Sequence, residues 1–334
     1  MTSAMARETA EAPAVVQSLD RSLIASVARH IVSDRPRFAV VCGRGSSGHV
    51  GVLLRYLIET RLGLAVSTTA PSVITALHAK LQLHQALFVV ISQSGGSPDL
   101  VEATRAARAG GARTVAIVNV SGSPVAEAAE LVITLDAGVE KSVAATKSVI
   151  ASMAACAELV AMIAKDFDLT EALADLPARL HAAYALDWTP FATGLVRAPA
   201  AFVTARGFGL GTAREIALKM AETLRLPSLA YSAAELLHGP RASVSASTPV
   251  LALRLADATA ASVDTLVASL RAASVPVQNC GGPSCSLPWI ADTHPVTDAI
   301  AMLMPAYRLI EAVARDAGFD PDHPPHLRKV TETL

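Results

Sequence analysis

The sequence predicts an α/β protein in which two doubly wound parallel sheets follow one another along the chain. Three observations support this prediction. Strand-like and helix-like runs alternate, which is typical of parallel sheets with helical connections. The strand-like runs are almost continuously apolar, as in Phe88-Val89-Val90-Ile91, and such runs indicate strands that helices cover on both faces. The second half of the chain repeats the pattern of the first.

The first half contains five predicted strands with helices between them. A long Ala-rich helix after Val143 closes this repeat, and a helical connector runs to about Pro190. Before the first strand we expect only a short helix. The predicted strands are residues 37–42, 64–69, 86–92, 113–120 and 131–136, and the predicted helices are residues 49–61, 71–81, 98–109 and 124–129.

The second half repeats this pattern more faintly. Residues 201–207, Ala-Phe-Val-Thr-Ala-Arg-Gly, echo residues 39–45, Ala-Val-Val-Cys-Gly-Arg-Gly. The copies have diverged, because Asp257 lies where the first copy has a Ser/Gly loop, and an acid there would repel an anion. The further predicted strands are residues 249–255 and 275–280, and the predicted helices are residues 211–226, 262–273 and 297–317.

Length and composition set the broad class of the protein. A chain of 334 residues can form two domains, which we expect at residues 15–185 and 186–320, followed by a tail at 321–334. Hydrophobic residues make up 52% of the chain and aromatic residues only 4%, so aliphatic side chains must build the cores. The net charge of -1 gives no bulk attraction to nucleic acid or to anionic membranes.

No targeting, membrane or metal-binding pattern stands out. Residues 1–13 contain no apolar stretch, so we expect no secretion signal. The most apolar window, residues 149–164, contains Ser152 and Glu158. We expect it to be too short and too polar for a membrane span, and to form a buried helix instead. The four cysteines lack the paired spacing of zinc sites, and no cofactor motif is convincing. We therefore expect a cytoplasmic protein without metal or cofactor.

Residues 92–97, Ser-Gln-Ser-Gly-Gly-Ser, follow the third predicted strand and precede a helix that begins at Pro98. Hydroxyls and the unpaired N–H groups of a helix start can converge on a phosphate. A helix N-cap with a mobile turn is the alternative interpretation. We call residues 92–97 the anion loop.

Residues 43–48, Gly-Arg-Gly-Ser-Ser-Gly, form a second loop after the first strand and match the glycine pattern of dinucleotide sites. Such sites need an acidic residue about 20 positions later, and residues 65–70 contain none. Loops that follow parallel strands share one edge of the sheet, so the two loops suit a small phosphorylated, hydroxyl-rich ligand better than a dinucleotide. Residues 140–147 should lie at the same edge, and a capped helix start is their alternative interpretation.

The second half supplies titratable groups. Glu215, Lys219 and Glu222 fall on one face of a predicted helix, where a solvated charge stripe is the alternative interpretation. His238 precedes Gly239-Pro240, a pattern typical of a helix end. A histidine held at such a corner is also suited to moving a proton near neutral pH. Sequence alone leaves both alternatives open.

Four ordered motifs resemble the sugar isomerase (SIS) family, and in particular the isomerase half of glucosamine-6-phosphate synthase. The resemblance runs from about Val15 to the C-terminus and implies two flavodoxin-like, doubly wound domains. Two departures concern the choice of sugar: Ala145 replaces a Ser of the synthase motif, and Gly45-Ser46 replaces a Thr-Ser pattern. The motifs are Cys42-Gly43-Arg44-Gly45-Ser46-Ser47, Ile91-Ser92-Gln93-Ser94-Gly95, Val143-Ala144-Ala145-Thr146-Lys147 and Glu235-Leu236-Leu237-His238-Gly239-Pro240, with the tail Leu327-Arg328-Lys329-Val330-Thr331.

The resemblance also implies roles for matching residues. Glu222 would move a proton between C1 and C2 of the sugar, with Lys219 nearby. His238 would open the sugar ring in the site of the neighbouring subunit, which implies a homodimer. Lys329 would contact the carbonyl or amine end of the substrate. Val143 and Arg328 would contribute backbone contacts, and the residues that would hold the sugar phosphate are Ser92, Gln93, Ser94 and Ser97, with Arg44 and Ser46 of the glycine-rich loop.

The synthase carries an N-terminal glutaminase domain with a catalytic Cys directly after the initiator Met, whereas Thr2 follows Met1 here. We therefore expect the reverse reaction, from glucosamine 6-phosphate to fructose 6-phosphate and ammonia. An aldose–ketose phosphosugar isomerase that acts without nitrogen is one alternative. A non-catalytic phosphosugar-binding regulator is another, but the residues before Arg37 are too few and not basic enough for a helix-turn-helix domain. In each case the expected partner is a hexosamine or hexose 6-phosphate.

Overall fold

The structure, a computed structural model, describes residues 2–290 and 293–329, which form two compact units. Each unit is discontinuous in sequence, whereas the sequence predicts continuous domains. Residues 330–334 of the predicted tail lie outside the described residues. The first unit comprises residues 14–140, 147–174 and the tail from residue 328, and the second comprises the residues up to 13, 141–146 and 175–327.

The helices alternate with strands in both halves of the chain. In the first half they are α1 (Ala4–Gln17), α2 (Arg21–Asp34), α3 (Gly45–Leu57), α4 (Ser72–Thr75), α5 (Pro98–Ala109), α6 (Pro124–Ala128), α7 (Lys147–Ala164) and α8 (Phe167–Tyr184), and a π-helical turn over Ile58–Leu62 continues α3. In the second half they are α9 (Thr189–Leu195), α10 (Gly209–Leu224), α11 (Ala233–Leu236), α12 (Ala260–Ala272), α13 (Pro295–Ala301) and α14 (Leu303–Asp316).

The first unit contains a parallel sheet in the order β2-β1-β3-β4-β5, which confirms the predicted flavodoxin-like winding. The central strand, β3, is buried along its whole length, as its continuous apolar run predicts. This order brings the ends of β1 and β3 side by side. The strands are β1 (Phe38–Cys42), β2 (Val66–Thr68), β3 (Ala86–Ser92), β4 (Arg113–Val118) and β5 (Leu131–Thr134).

The second unit contains a smaller parallel sheet in the order β7-β6-β8-β9, wound as the first four strands of the other sheet are. The predicted repeat is therefore confirmed. The sequence analysis missed the edge strand β7, because its residues Ser-Leu-Ala-Tyr-Ser are only half-buried and lack a continuous apolar run. The strands are β6 (Ala201–Ala205), β7 (Ser228–Ser232), β8 (Val250–Leu253) and β9 (Val277–Cys280).

Three predicted helical regions differ from the structure. Two helices of 14 residues, α1 and α2, precede the first strand instead of one short helix, and the side chain of Asp20 caps α2. Residues 71–81 form only the single turn α4. The predicted helix over residues 297–317 divides at Met302. Pro305 follows the break and has no N–H to donate to the carbonyl four residues earlier, which accounts for the division.

Helix α7 is the most apolar helix of the first unit. By length and composition it could cross a membrane, so the expectation that this segment is too short and too polar was wrong. In the structure 83% of that segment is buried inside the protein, as in the core helix of a globular domain. Aliphatic side chains dominate the cores of both units, with Phe88 and Phe202 among the few aromatic members.

Candidate functional site

The anion loop connects the end of β3 to the start of α5 in the first unit. The Ser92 hydroxyl accepts a hydrogen bond from the Gly95 N–H at 3.1 Å, and the Ser94 hydroxyl accepts one from the Gly96 N–H at 3.2 Å. Ser97 occupies the N-cap position of α5, but its side chain makes no capping hydrogen bond. Ser97 therefore does not cap α5 with its side chain, as the N-cap interpretation of this loop would require.

Backbone hydrogen bonds hold the anion loop against the segment that follows β4. The carbonyl of Gln93 accepts from the N–H of Asn119 at 3.2 Å, and that of Gly95 accepts from Val125 at 3.0 Å. Gly95 has a φ of +62°, and a Cβ atom built on it would lie 2.0 Å from the Ser123 hydroxyl oxygen. Because the backbone approaches Ser123 this closely, only glycine fits at this position.

The glycine-rich loop lies between β1 and α3, beside the anion loop in the strand order. A Cβ atom on Gly43 would lie 2.9 Å from the carbonyl oxygen of Ser47, so this turn also requires glycine. The Arg44 guanidinium forms an ion pair with Asp99, a fully buried carboxylate in the first turn of α5. Arg44 thereby offsets a negative charge next to a loop that would receive an anion.

An open groove of about 530 Å³ lies at the carboxyl edge of the first sheet. Its volume is within the range typical of small-molecule sites. The groove is lined by Gln93, by residues 119–121 after β4 and by residues 136–140 after β5. Asn119 connects the segments that follow β4 and β5. Its side chain accepts from the N–H of Ala137 and donates to the carbonyl of Gly138, both at 2.8 Å. The groove therefore offers amide, hydroxyl and carboxylate groups to a polar ligand.

Glu140, which also lines the groove, is a candidate site residue that the sequence analysis did not single out. Its buried carboxylate oxygen Oε2 accepts from Lys329 Nζ at 3.0 Å and from the Ser148 hydroxyl at 2.6 Å. The other oxygen accepts from the N–H of Ser148 at 3.2 Å. The side chain of Lys329 is largely buried, with only 23% of it exposed, whereas the neighbouring Arg328 is exposed to solvent. Glu140 thus holds the ammonium group of the predicted tail lysine.

In the second unit, α10 carries the predicted acid–base residues. Lys219 Nζ lies 2.6 Å from Glu222 Oε2 and 3.3 Å from Glu215 Oε1. Tyr307 of α14 donates to the same oxygen of Glu215 at 3.2 Å. Lys219, Glu215 and Tyr307 are buried, whereas 22% of the Glu222 side chain is exposed. A solvated charge stripe is therefore the wrong interpretation, since only Glu222 reaches solvent.

Burial by itself would lower the pKa of Lys219, but the carboxylates of Glu215 and Glu222 outweigh burial and raise it above its ordinary value. Lys219 is therefore a permanent cation at neutral pH, held against the carboxylate of Glu222. The sequence analysis identified the helical face but missed Tyr307. No local pattern could have found it, because 92 residues separate it from Glu215.

His238 lies on an exposed corner of the second unit. Helix α11 ends just before it, and a 3₁₀ turn over Gly239–Ser243 follows it. Its N–H donates to the carbonyl of Glu235 at 3.0 Å. Gly239 does not adopt the left-handed conformation of a typical glycine cap, so the corner forms differently from the predicted helix stop. The imidazole is accessible, as a proton-transfer group must be.

The corresponding edge of the second sheet carries no comparable loop. There the Asp257 carboxylate accepts from the N–H of Thr259 at 2.7 Å and from its hydroxyl at 2.6 Å. An acid occupies the place that an anion would need, in agreement with a single anion site in the first repeat. Within residues 2–290 and 293–329, no group of three or more His, Cys, Asp or Glu side chains could hold a metal ion.

Comparisons with known proteins relate this architecture to a family. The SIS domain profile matches residues 35–162 and 194–278, which is more than half of the chain. The glutamine–fructose-6-phosphate aminotransferase (isomerizing) of Zymomonas mobilis is 29% identical over 97% of this chain and 58% of its own length. That of Halobacterium salinarum is 34% identical over 64% of this chain and 37% of its own. The chain thus spans less than two thirds of the length of each of these relatives.

Solved structures agree with this relationship. A candidate phosphosugar isomerase from Silicibacter pomeroyi is 37% identical, with a TM-score of 0.92 over 96% of this chain and all of that one. The C-terminal domain of glucosamine-fructose-6-phosphate aminotransferase from Francisella tularensis has a TM-score of 0.86 at 23% identity, over 97% and 99% of the two chains. Glucosamine-6-phosphate deaminase from Thermotoga maritima has a TM-score of 0.81 at 20% identity, over 99% and 100%. The last two likenesses concern the fold alone. The chain belongs to the SIS domain family.

Proposed function

We propose that this protein converts glucosamine 6-phosphate to fructose 6-phosphate and ammonia. The observation that carries the proposal is the Lys219–Glu222 pair, in which a buried ammonium holds a carboxylate that solvent can still reach. A positioned carboxylate is the group that proton transfer between adjacent carbons needs. The relatives are named for fructose 6-phosphate, amino transfer and isomerisation, and the proposed reaction combines the same three elements.

The anion loop is the proposed phosphate site. The hydroxyls of Ser92 and Ser94 accept from the N–H groups of Gly95 and Gly96, which orients both hydroxyls, and the start of α5 adds the partial positive charge of a helix N-terminus. Gln93 and Ser97 complete the set. Arg44 and Ser46 of the glycine-rich loop supply further donors. Holding the phosphate, which does not react, orients the carbons that do.

His238 assists opening of the sugar ring, and Glu222 then removes the proton from C2 to give a 1,2-enolamine. Protonation at C1 gives the imine of fructose 6-phosphate. Water adds to C2 of the imine, and ammonia leaves. Lys219 or Lys329 stabilises negative charge on the substrate oxygen during proton transfer, while Val143 and Arg328 contribute backbone contacts.

The test is an assay of ammonia and fructose 6-phosphate release over a panel of hexosamine 6-phosphates. We expect glucosamine 6-phosphate to yield both products in equal amounts. Glu222→Gln should lower kcat by roughly 10²–10⁴-fold, the usual contribution of a general base. Glu171→Gln, at an exposed position of α8, is the matched control and should leave kcat unchanged. Normal turnover by Glu222→Gln would exclude this base.

The second candidate function is aldose–ketose isomerisation of a phosphosugar without nitrogen. The specific observation in its favour is the 37% identity to a candidate phosphosugar isomerase. Isomerisation of a hexose 6-phosphate, with no ammonia from any amino sugar, would replace our first proposal with this one. A sugar phosphate that binds without turnover would instead favour the regulator alternative.

A further inference from the structure

Residues 141–146 form an irregular segment of the second unit, between the end of the groove-lining residues and the start of α7. Its residues alternate in burial: Ser142, Ala144 and Thr146 are buried, whereas Lys141 is exposed and Val143 is half-buried. Val143 is therefore partly accessible, between two buried neighbours. Because the segment lies in neither a helix nor a sheet, other parts of the chain must fix its conformation.

The N-terminal helix supplies one of these constraints. Glu8 of α1 is almost fully buried, and its carboxylate accepts hydrogen bonds from the backbone N–H groups of Lys141 and Ser142, the latter at 3.2 Å. Two consecutive amides of the segment thus converge on one charged side chain. Hydrogen bonds to a charged acceptor are stronger than those to a neutral one.

Asp322, near the C-terminal end of the second unit, supplies the other constraint. Its carboxylate accepts from the N–H groups of Ala4 and Met5 at 2.7 and 2.8 Å, and so caps the first turn of α1. Its own carbonyl accepts from the N–H of Val143 at 3.1 Å. Asp322 therefore contacts both the helix that carries Glu8 and the segment that Glu8 holds.

Further contacts within the second unit fix α1 itself. The Ser3 hydroxyl donates to Glu311 of α14 at 2.7 Å, and the Tyr184 hydroxyl donates to the carbonyl of Ala6 at 3.3 Å. The helix start is thus anchored independently of the segment. This anchoring makes Glu8 a fixed point rather than a flexible side chain that follows the segment.

We propose that Glu8 and Asp322 are positioning residues, which hold residues 141–146 so that the backbone at Val143 meets the sugar. This inference rests on the proposed function, which assigns the Val143 contact. A backbone group carried by an irregular segment can orient a substrate only if its own geometry is fixed beforehand. Three consecutive N–H groups, those of residues 141–143, are each directed by Glu8 or Asp322.

The variants Glu8→Gln and Asp322→Asn test the proposal, because each keeps the shape of the side chain and removes its charge. We expect about a tenfold or larger loss in kcat/KM for the sugar phosphate, in line with the loss of a charged hydrogen-bond partner. Inhibition by inorganic phosphate, which the anion loop would bind, should be unchanged. Asp316→Asn, an exposed residue of α14, is the matched control. Unchanged kcat/KM in both variants would overturn the proposal.

Hydrogen–deuterium exchange separates this inference from the proposed function. In both variants the amides of Lys141 and Ser142 should exchange faster than in the wild-type protein, directly in Glu8→Gln and through the loosened start of α1 in Asp322→Asn, whereas those of β3 should not. If the wild-type protein turns over no phosphosugar, the proposed function fails. Hydrogen–deuterium exchange then still shows whether Glu8 and Asp322 hold residues 141–146. Unchanged exchange at Lys141 and Ser142, or equally faster exchange in β3, would show that Glu8 and Asp322 do not act on this segment.

Discussion

Lys219 shows how burial and charge act together on one residue. Its ammonium lies between two carboxylates, and because their attraction exceeds the effect of burial, its pKa is raised. A lysine with a raised pKa adds to stability below its unfolded pKa, and this contribution disappears as pH rises through the higher folded pKa. Near neutral pH, Lys219 therefore keeps its positive charge beside Glu222, the proposed base.

We predict that Lys219 raises the free energy of unfolding at pH 8, and that this contribution falls as pH rises. The wild-type protein should exceed Lys219→Met in stability at pH 8, below the ordinary lysine pKa of about 10.4. This difference should shrink as pH rises towards 11, because the lysine of the unfolded chain loses its proton there while the folded protein, with its raised pKa, must still bind one. Urea unfolding of both proteins at the two pH values measures it. A difference that grows with pH would contradict the assigned charge.

Cysteine reactivity gives a second prediction for single residues. Burial, and then the charge of Asp99, raises the pKa of Cys42 to about 12, with Arg44 acting in the opposite direction. Burial also raises the pKa of Cys156 and of Cys280. Cys285 is only half-buried. A thiol reagent at pH 8 should therefore modify Cys285 alone in the native protein and all four cysteines after unfolding, and early modification of Cys42 would contradict this.

At the scale of elements, the junction between β3 and α5 depends on Gly95. Gly95→Ala would introduce both a left-handed conformation for a non-glycine residue and a 2.0 Å contact with Ser123. Gly63→Ala is the matched control, because Gly63 has a φ of +66° with open space around it. We expect a cost of about 1 kcal/mol for the control and of about 3 kcal/mol or more for Gly95→Ala. Chemical denaturation measures both.

The double variant Gly95→Ala/Ser123→Gly separates the two causes. It removes the side chain that the new Cβ atom would meet but leaves the left-handed backbone. We expect it to recover most of the lost stability and part of any phosphate binding. If the double variant is no more stable than Gly95→Ala alone, the close contact is not the reason for glycine at this position.

Elements with a strong local pattern could be predicted well. Strand β3 and helix α5 have the predicted bounds, because an unbroken apolar run and a proline at the first helical turn mark them. Strand β7 and the single turn α4 could not be predicted, since each is short and partly exposed. Their conformation depends on neighbours that are distant in sequence.

The same distinction applies to the candidate site. The anion loop and the acidic face of α10 follow from local patterns in the sequence. Glu140 does not, because its partner Lys329 lies 189 residues away. Tyr307 and Asp322 are also brought to their partners only by the folded chain. Sequence patterns therefore locate the groups that would react, whereas the groups that hold them become visible only in the structure.

At the scale of the whole molecule, the proposed homodimer can be tested by mixing inactive variants. If His238 of one subunit serves the site of the other, a heterodimer of Glu222→Gln and His238→Ala contains one intact site. Random reassociation should then restore about a quarter of wild-type activity, because half of the dimers are mixed and half of their sites are intact. Activity that stays at the level of either variant would argue against a shared site.

The two sheets share one winding, but only the first retains an anion loop, while the second keeps an acid in the corresponding position. Under the proposed function the two copies have different tasks. The proposed phosphate site lies in one copy and the proposed acid–base residues lie in the other, so we expect neither copy to replace the other by point substitutions at the loop alone.

The discontinuity of the two units has a practical consequence for protein engineering. A fragment that starts at residue 175 would lack the first turns of α1 and residues 141–146, both of which belong to the second unit. Such a truncation would remove Glu8 together with the two backbone amides that donate to it, and also the helix start that Asp322 caps. A protein that contains only one of the two units would have to be assembled from separate stretches of the sequence, for example by joining them in a new order with linkers.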